Sequence, residues 1–159
     1  MRLICLAALI AATYAWTVAA APGGVRVGLL ACTLAQQADA PADGSARQAL
    51  CAFRPKKGAP ETYVGSVQGV KSSASVTLLW RVTLPPAMSV APGFLEQHYA
   101  ADPRTPAEHM PDLVGLTNSS VVLESMADKK VGSASSKNRS LAKSIAVLRI
   151  ELKLKSTTG

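Results

Sequence analysis

Cysteines, histidines and one basic run carry most of the chemistry open to this chain of 159 residues, which has three cysteines and two histidines. Cys32 and Cys51 show no CxxC spacing, and no histidine lies near either in sequence, so a metal pair or a reactive thiol is disfavoured. In an oxidising compartment two such cysteines read as one structural disulfide. Closing a loop of this length is worth about 3 kcal/mol in the chain-entropy picture.

His98 and His109 have Glu96, Asp102, Glu108 and Asp112 around them in sequence. A metal site or an acid–base pair would need these groups to converge on rigid elements. The stretch that holds them is rich in proline and reads as loop, so solvated side chains are expected instead. No GxSxG elbow, GxGxxG turn, P-loop or HExxH helix occurs. The expectation is a protein without catalytic residues, metal or cofactor.

Charge is unevenly spread. Residues 21–128 hold eight basic and nine acidic side chains, whereas Lys129, Lys130, Lys137, Arg139, Lys143, Arg149, Lys153 and Lys155 face Glu151 alone. This segment reads either as a solvated face that keeps the protein soluble, or as a surface for anionic lipid headgroups or another polyanion, at about 1 kcal/mol per charge near an anionic membrane. Nucleic acid is disfavoured, because Phe53, Tyr63, Trp80, Phe94 and Tyr99 are not interleaved with the basic run. Asn118-Ser119-Ser120 and Asn138-Arg139-Ser140 match the glycosylation sequon, but the leader is bacterial in style and they are given no role.

That leader spans residues 1–20. Arg2, the apolar run Leu3 to Ile10 and the small residues around Ala19-Ala20-Ala21 describe a secretory signal peptide. The expected cut follows Ala20, since cutting after Ala21 would set Pro22 directly behind the scissile bond. The apolar run falls short of the roughly 20 residues of a spanning helix. Cys5 has no apolar run before it, so it is not a lipoprotein acceptor and leaves with the leader. Processing removes only Arg2 among the charges, taking the net charge from +7 to +6. Residues 21–159 are expected to form a single domain with one core.

The elements that must position these residues read as strands. Val25 to Leu34 is the first, Ala35 to Arg47 a polar surface loop, and Gln48 to Arg54 the second strand, ended by Pro55-Lys56-Lys57-Gly58. Tyr63 to Val70 is the third, with Gly65 and Gly69 where a neighbour approaches closely. In the fourth, Val76, Leu78, Trp80, Val82 and Leu84 alternate with Thr77, Leu79, Arg81 and Thr83. Trp80 is a core anchor whose indole N–H needs a partner. Ala91 to Asp112 reads as irregular, with room for a single turn after Ala91. Val121-Val122-Leu123 follows a Gly115 to Ser120 turn region as another strand, and Lys129 to Lys143 reads as a long hairpin connection or a frayed ribbon. Leu148, Ile150, Leu152 and Leu154 then alternate with Arg149, Glu151, Lys153 and Lys155, a half-buried strand. A helix would scatter those four apolar residues around its circumference. The fold expected is mainly β: a single compact antiparallel β-sandwich or small β-barrel of about six to eight strands with one disulfide.

Several segments together resemble the proteobacterial exported family of unknown function DUF992. They are Val27 to Cys32, Cys51-Ala52-Phe53-Arg54-Pro55 with Glu61 to Gly65, Leu78 to Val82, Ala91-Pro92-Gly93-Phe94-Leu95 ending at Tyr99, and Leu113-Val114-Gly115 leading to Asn118-Ser119-Ser120. The sequence departs from the family's glycine-rich habit between Tyr99 and Leu113 and from Lys129 to Lys143. The resemblance implies a compact β protein of the cell envelope and carries over no activity. The order of the later strands is also similar, as analogy only, to SYLF-like lipid-binding envelope domains.

The leading functional expectation is an exported, periplasmic or secreted, non-enzymatic protein that acts by binding or structural support in the cell envelope. The alternative is a lipid- or polyanion-binding module using Lys129, Lys130, Lys137, Arg139, Lys143, Lys153 and Lys155. A third reading is a hydrolase with His98 or His109 as base.

Overall fold

Alternation of period two builds nearly everything in the computed structural model, which describes residues 24–36, 45–72, 74–105, 110–126 and 145–157. Its strands are β1 (Val25–Leu34), β2 (Arg47–Pro55), β3 (Glu61–Val70), β4 (Val76–Leu84), β5 (His98–Ala101), β6 (Leu113–Gly115), β7 (Val122–Ser125) and β8 (Ile145–Thr157). They close a barrel in the order β1-β2-β3-β8-β5-β6-β7-β4. Every neighbouring pair is antiparallel.

Eight strands leave an interior just wide enough for side chains to fill. Leu30, Cys32 and Leu34 of β1, Cys51 and Phe53 of β2, Tyr63 and Val67 of β3, and Leu78, Trp80 and Val82 of β4 are buried there with Ile150 and Leu152 of β8. The outward residues Arg149, Lys153 and Lys155 of β8 are exposed. An apolar inside and a charged outer strand are the reverse of a membrane-spanning barrel, which turns its apolar band to lipid.

Cys32 and Cys51 are register partners on β1 and β2, and their sulfurs are bonded, with the Cα atoms 4.0 Å apart. The bridge thus ties adjacent strands as the spacing predicted. The close approach expected at Gly65 is also present: a Cβ there would run into the Glu151 carbonyl oxygen of β8 and the Leu152 side chain.

Both barrel ends are closed by polar side chains. At the end where β2 runs out, the turn 91–97 folds over the mouth. Leu95 is fully buried, and the Phe94 ring meets the Phe53 ring edge-on at 5.4 Å. The buried Glu61 carboxylate accepts from the Tyr63 hydroxyl and, at 3.3 Å, from the Gly93 N–H. The Tyr99 hydroxyl donates to the Leu95 carbonyl at 3.0 Å, and Gln97 Nε2 donates to the Tyr99 oxygen at 3.3 Å. Gln97 Oε1 accepts from Thr117 N at 3.2 Å and Asn118 N at 2.8 Å. Burial, then the neighbouring Glu61 carboxylate, push the Tyr63 phenol well above its ordinary 10.0. Burial likewise raises Tyr99, with the Gln97 hydrogen bond working the other way.

Arg47 closes the opposite end, and it corrects the loop expected from Ala35 to Arg47. It is the first residue of β2 and only 1% exposed. Its guanidinium donates to the carbonyls of Ala35 and Ser72 and, at 3.1 Å, to that of Ala74. A planar fork of donors joins backbone ends that no regular pairing reaches.

Two further expectations change. The stretch from Ala91 to Asp112 is not wholly irregular, because His98–Ala101 forms β5 and pairs with β6 and β8. Trp80 is a fully buried anchor, but its Nε1 has no acceptor among the described residues. The leader, the Lys129 to Lys143 connection and His109 lie outside the described residues.

Candidate functional site

Among the described residues, clefts that a partner could reach open on the barrel's outer surface. Among the described residues, four cations gather where β2, β1 and β4 run side by side. The pairing of Cys32 with Cys51 sets the register of β1 against β2, and the same register puts Leu29 opposite Arg54. On its other side, Leu29 is opposite Arg81 of β4. An outward leucine therefore sits between two outward arginines.

A bulge adds a third. The β1–β4 register shifts between Arg26 and Gly28, so that Arg26 faces Thr83 while Gly28 faces Val82. Without the extra residue, Arg26 would share the inward parity of Gly28 and Leu30. With it, Arg26 joins the outward row of Leu29 and Arg81. Re-aiming a side chain in this way is a recurrent use of bulges at barrel rims. Lys56, whose N–H bonds the Val27 carbonyl at 2.7 Å, completes the set.

Together Arg26, Gly28, Leu29, Arg54, Pro55, Lys56 and Arg81 line a cleft of about 380 Å³. Gly28 keeps the backbone close to the core beneath it: a Cβ there would fall 2.5 Å from the Arg54 carbonyl oxygen and 2.6 Å from the Phe53 ring. Among the described residues one carboxylate approaches these four cations, Glu124, at 3.6 Å from Arg81 Nη1. No ion pair engages Arg26, Arg54 or Lys56 among the described residues. The cleft is left with a net charge of about +3, enough to draw phosphate-like anions, for which arginine forks are matched. A second depression of about 400 Å³ adjoins it, sharing Arg26 and Lys56 and adding Val25, Val27, Lys57 and Val90.

The residues singled out by sequence lie elsewhere. Lys153 and Lys155 are exposed on β8. Lys153 pairs with Glu151 at 3.1 Å beside a shallow cleft of about 190 Å³ over β2, β3 and β8. Lys129, Lys130, Lys137, Arg139 and Lys143 lie outside the described residues. His98 is exposed on β5 with Nε2 3.9 Å from the same Glu151. Asp102 is paired instead with Arg104 at 2.6 Å, which holds its carboxyl below the usual range. Asp112 Oδ1 accepts from the Ser125 N–H at 2.6 Å. Among the described residues, no three His, Cys, Asp or Glu side chains come together as metal ligands. Cys32 and Cys51 are structural, and both are fully buried.

The cleft cations Arg26, Arg54, Lys56 and Arg81 were missed because they lie in the half of the sequence where charges balance. The available signal was the disulfide, whose register locates Arg54 beside Leu29.

A family model described as a protein of unknown function (DUF992) matches residues 10–104, a span that contains β1 to β5 and all four cleft cations. No curated protein and no solved structure matches the chain.

Proposed function

The chain belongs to the DUF992 family of proteins of unknown function, and we propose that it is an exported, non-enzymatic binding protein of the cell envelope whose working surface is the cationic cleft around Leu29. The observation that carries this reading is the gathering of Arg26, Arg54, Lys56 and Arg81 from three strands against the single carboxylate of Glu124. Cations held this close repel one another, a cost that an arriving anion relieves. The export part is supported by the buried Cys32–Cys51 bridge, which belongs in an oxidising periplasmic or extracellular setting, and by the leader read from residues 1–20. The non-enzymatic part rests on the sequence, in which no catalytic motif occurs.

The binding part is tested by titrating the protein with inorganic pyrophosphate at low salt and following backbone amide shifts by NMR. Shifts grouped on Gly28, Leu29, Arg54, Lys56 and Arg81, fading as salt rises, are expected. Shifts scattered over the surface, or none, refute it. Export is tested by fractionating cells that make the chain with its leader: a processed, thiol-free protein in the envelope fraction is expected.

A second reading uses the basic segment ending in β8, where Arg149, Lys153 and Lys155 are exposed on one strand. Glu151 offsets part of that charge. Lys153→Gln/Lys155→Gln should weaken anion binding only if this face is the working one.

A further inference from the structure

The cleft is one edge of a larger outer face with an unusual composition. Registers across β2, β1 and β4 set its side chains in three rows: Leu50, Thr33 and Thr77; then Ala52, Ala31 and Leu79; then Arg54, Leu29 and Arg81. No acidic residue occupies any of these positions. Leu29, Leu50 and Leu79 are 46%, 53% and 45% exposed, although a soluble barrel has no need of leucine at three outward positions on adjacent strands.

We propose that this face docks on the surface of an anionic lipid bilayer, with headgroup phosphates entering the arginine cleft and Leu29, Leu50 and Leu79 lying against the interfacial region. This rests on the anion-binding reading above and goes beyond it by naming the occupant. Two features point to a bilayer and not to a dissolved phosphate. The cations stand at the margin of an apolar field, the arrangement by which interfacial segments combine charge with buried apolar area. The field itself is the second: Leu29, Leu50 and Leu79, each about half exposed, are apolar surface that a dissolved anion would leave in water and that a bilayer interface would cover. An anionic membrane attracts each nearby Lys or Arg enough to change partitioning about fivefold.

The test is co-sedimentation of the processed protein, residues 21–159, with vesicles of phosphatidylcholine alone or mixed with phosphatidylglycerol. Binding only to the mixed vesicles, declining with salt, is expected. Arg26→Gln/Arg54→Gln, which removes two cations without an ion-pair partner, should weaken it about 25-fold, at fivefold per charge. Leu50→Ser/Leu79→Ser should weaken it severalfold while leaving the pyrophosphate titration unchanged. Lys71→Gln, a cation exposed at the opposite end of the barrel, should leave both alone. Circular dichroism of each variant establishes that the barrel is intact. The proposal is overturned if binding ignores lipid charge, if the leucine variant binds vesicles as well as the parent, or if Lys153→Gln/Lys155→Gln abolishes vesicle binding in place of the arginine pair. Pyrophosphate binding in the cleft without vesicle binding overturns the membrane proposal and leaves the anion site standing. Loss of both removes the two together.

Discussion

Opening the Cys32–Cys51 bond should cost the barrel about 3 kcal/mol and leave its native architecture in place. The cross-linked positions are 19 residues apart. In the chain-entropy treatment, a loop of that size removes about 11 cal/mol/K from the unfolded ensemble, or about 3 kcal/mol at 25 °C. Reduction keeps both sulfur atoms in the core, so it isolates the cross-link from packing. Cys32→Ala/Cys51→Ala should cost more, because two fully buried sulfurs are then missing from the interior. Seven register pairs from Gly28 and Pro55 to Leu34 and Ala49 still hold β1 to β2 without the bond. Urea unfolding followed by circular dichroism, with and without a phosphine reductant, is the assay. A midpoint lowered by about 1–3 M is expected for the slopes of small proteins, or a fall of roughly 10 °C in Tm. With both sulfurs fully buried, reduction of the folded protein should also be slow, limited by the small fraction of molecules open at any moment. Superimposable curves would refute the reasoning, as would complete unfolding on reduction or immediate reduction of the native state.

Arg47→Met should destabilise the protein by about 2–4 kcal/mol, since hydrogen bonds from a charged donor to three carbonyls are lost while the carbonyls partly regain water. Arg47→Lys should recover only part of this, and a Met variant within about 0.5 kcal/mol of the parent in urea unfolding would contradict the clamp. Tyr63 and Tyr99 hold folded-state pKa values above the 10.0 of an unfolded phenol. Above that pH the unfolded chain binds fewer protons than the native one, so these two residues make stability fall as pH rises through and beyond 10.0 and leave it flat below. In the protein processed after Ala20, which has lost Tyr14, ultraviolet phenolate absorbance should accordingly appear together with loss of the circular dichroism signal, and phenolate forming in a still-folded protein would count against it. Gly65→Ala should force β3 from β8 at a cost of about 1–3 kcal/mol, seen as faster amide exchange along that seam; unchanged exchange would show that the strands have room.

Legibility followed the length of the pattern. Val76 to Leu84 alternates over a whole strand, and β4 lies where its residues predicted, as does the Ile150 and Leu152 face of β8. Leu148 belongs to the same pattern, but its side chain lies outside the described residues. The disulfide, the barrel alternative and the family resemblance carried by the cysteine, Phe-Arg-Pro and Ala-Pro-Gly segments are all present. His98–Ala101 was hidden because four residues among prolines show no period. Arg47 was hidden for another reason: a charged residue following Ala, Asp, Gly and Ser reads as solvated, and only carbonyls from 12 to 27 residues away explain its burial. The cleft was least legible. Its members are scattered from Arg26 to Arg81, and three-dimensional register, including a one-residue bulge, is what brings them together.

The last strand in sequence, β8, lies between β3 and β5. Until it arrives, both neighbours present raw edges, and the greasy lumen stands open to water. The latch of the barrel is therefore the last of the described strands to be made, and its partners are distant in the chain, a topology that folds slowly. A polypeptide wired in this order cannot close its barrel until β8 has been made. Any truncation short of β8 should therefore yield an aggregation-prone sheet fragment in place of a smaller barrel.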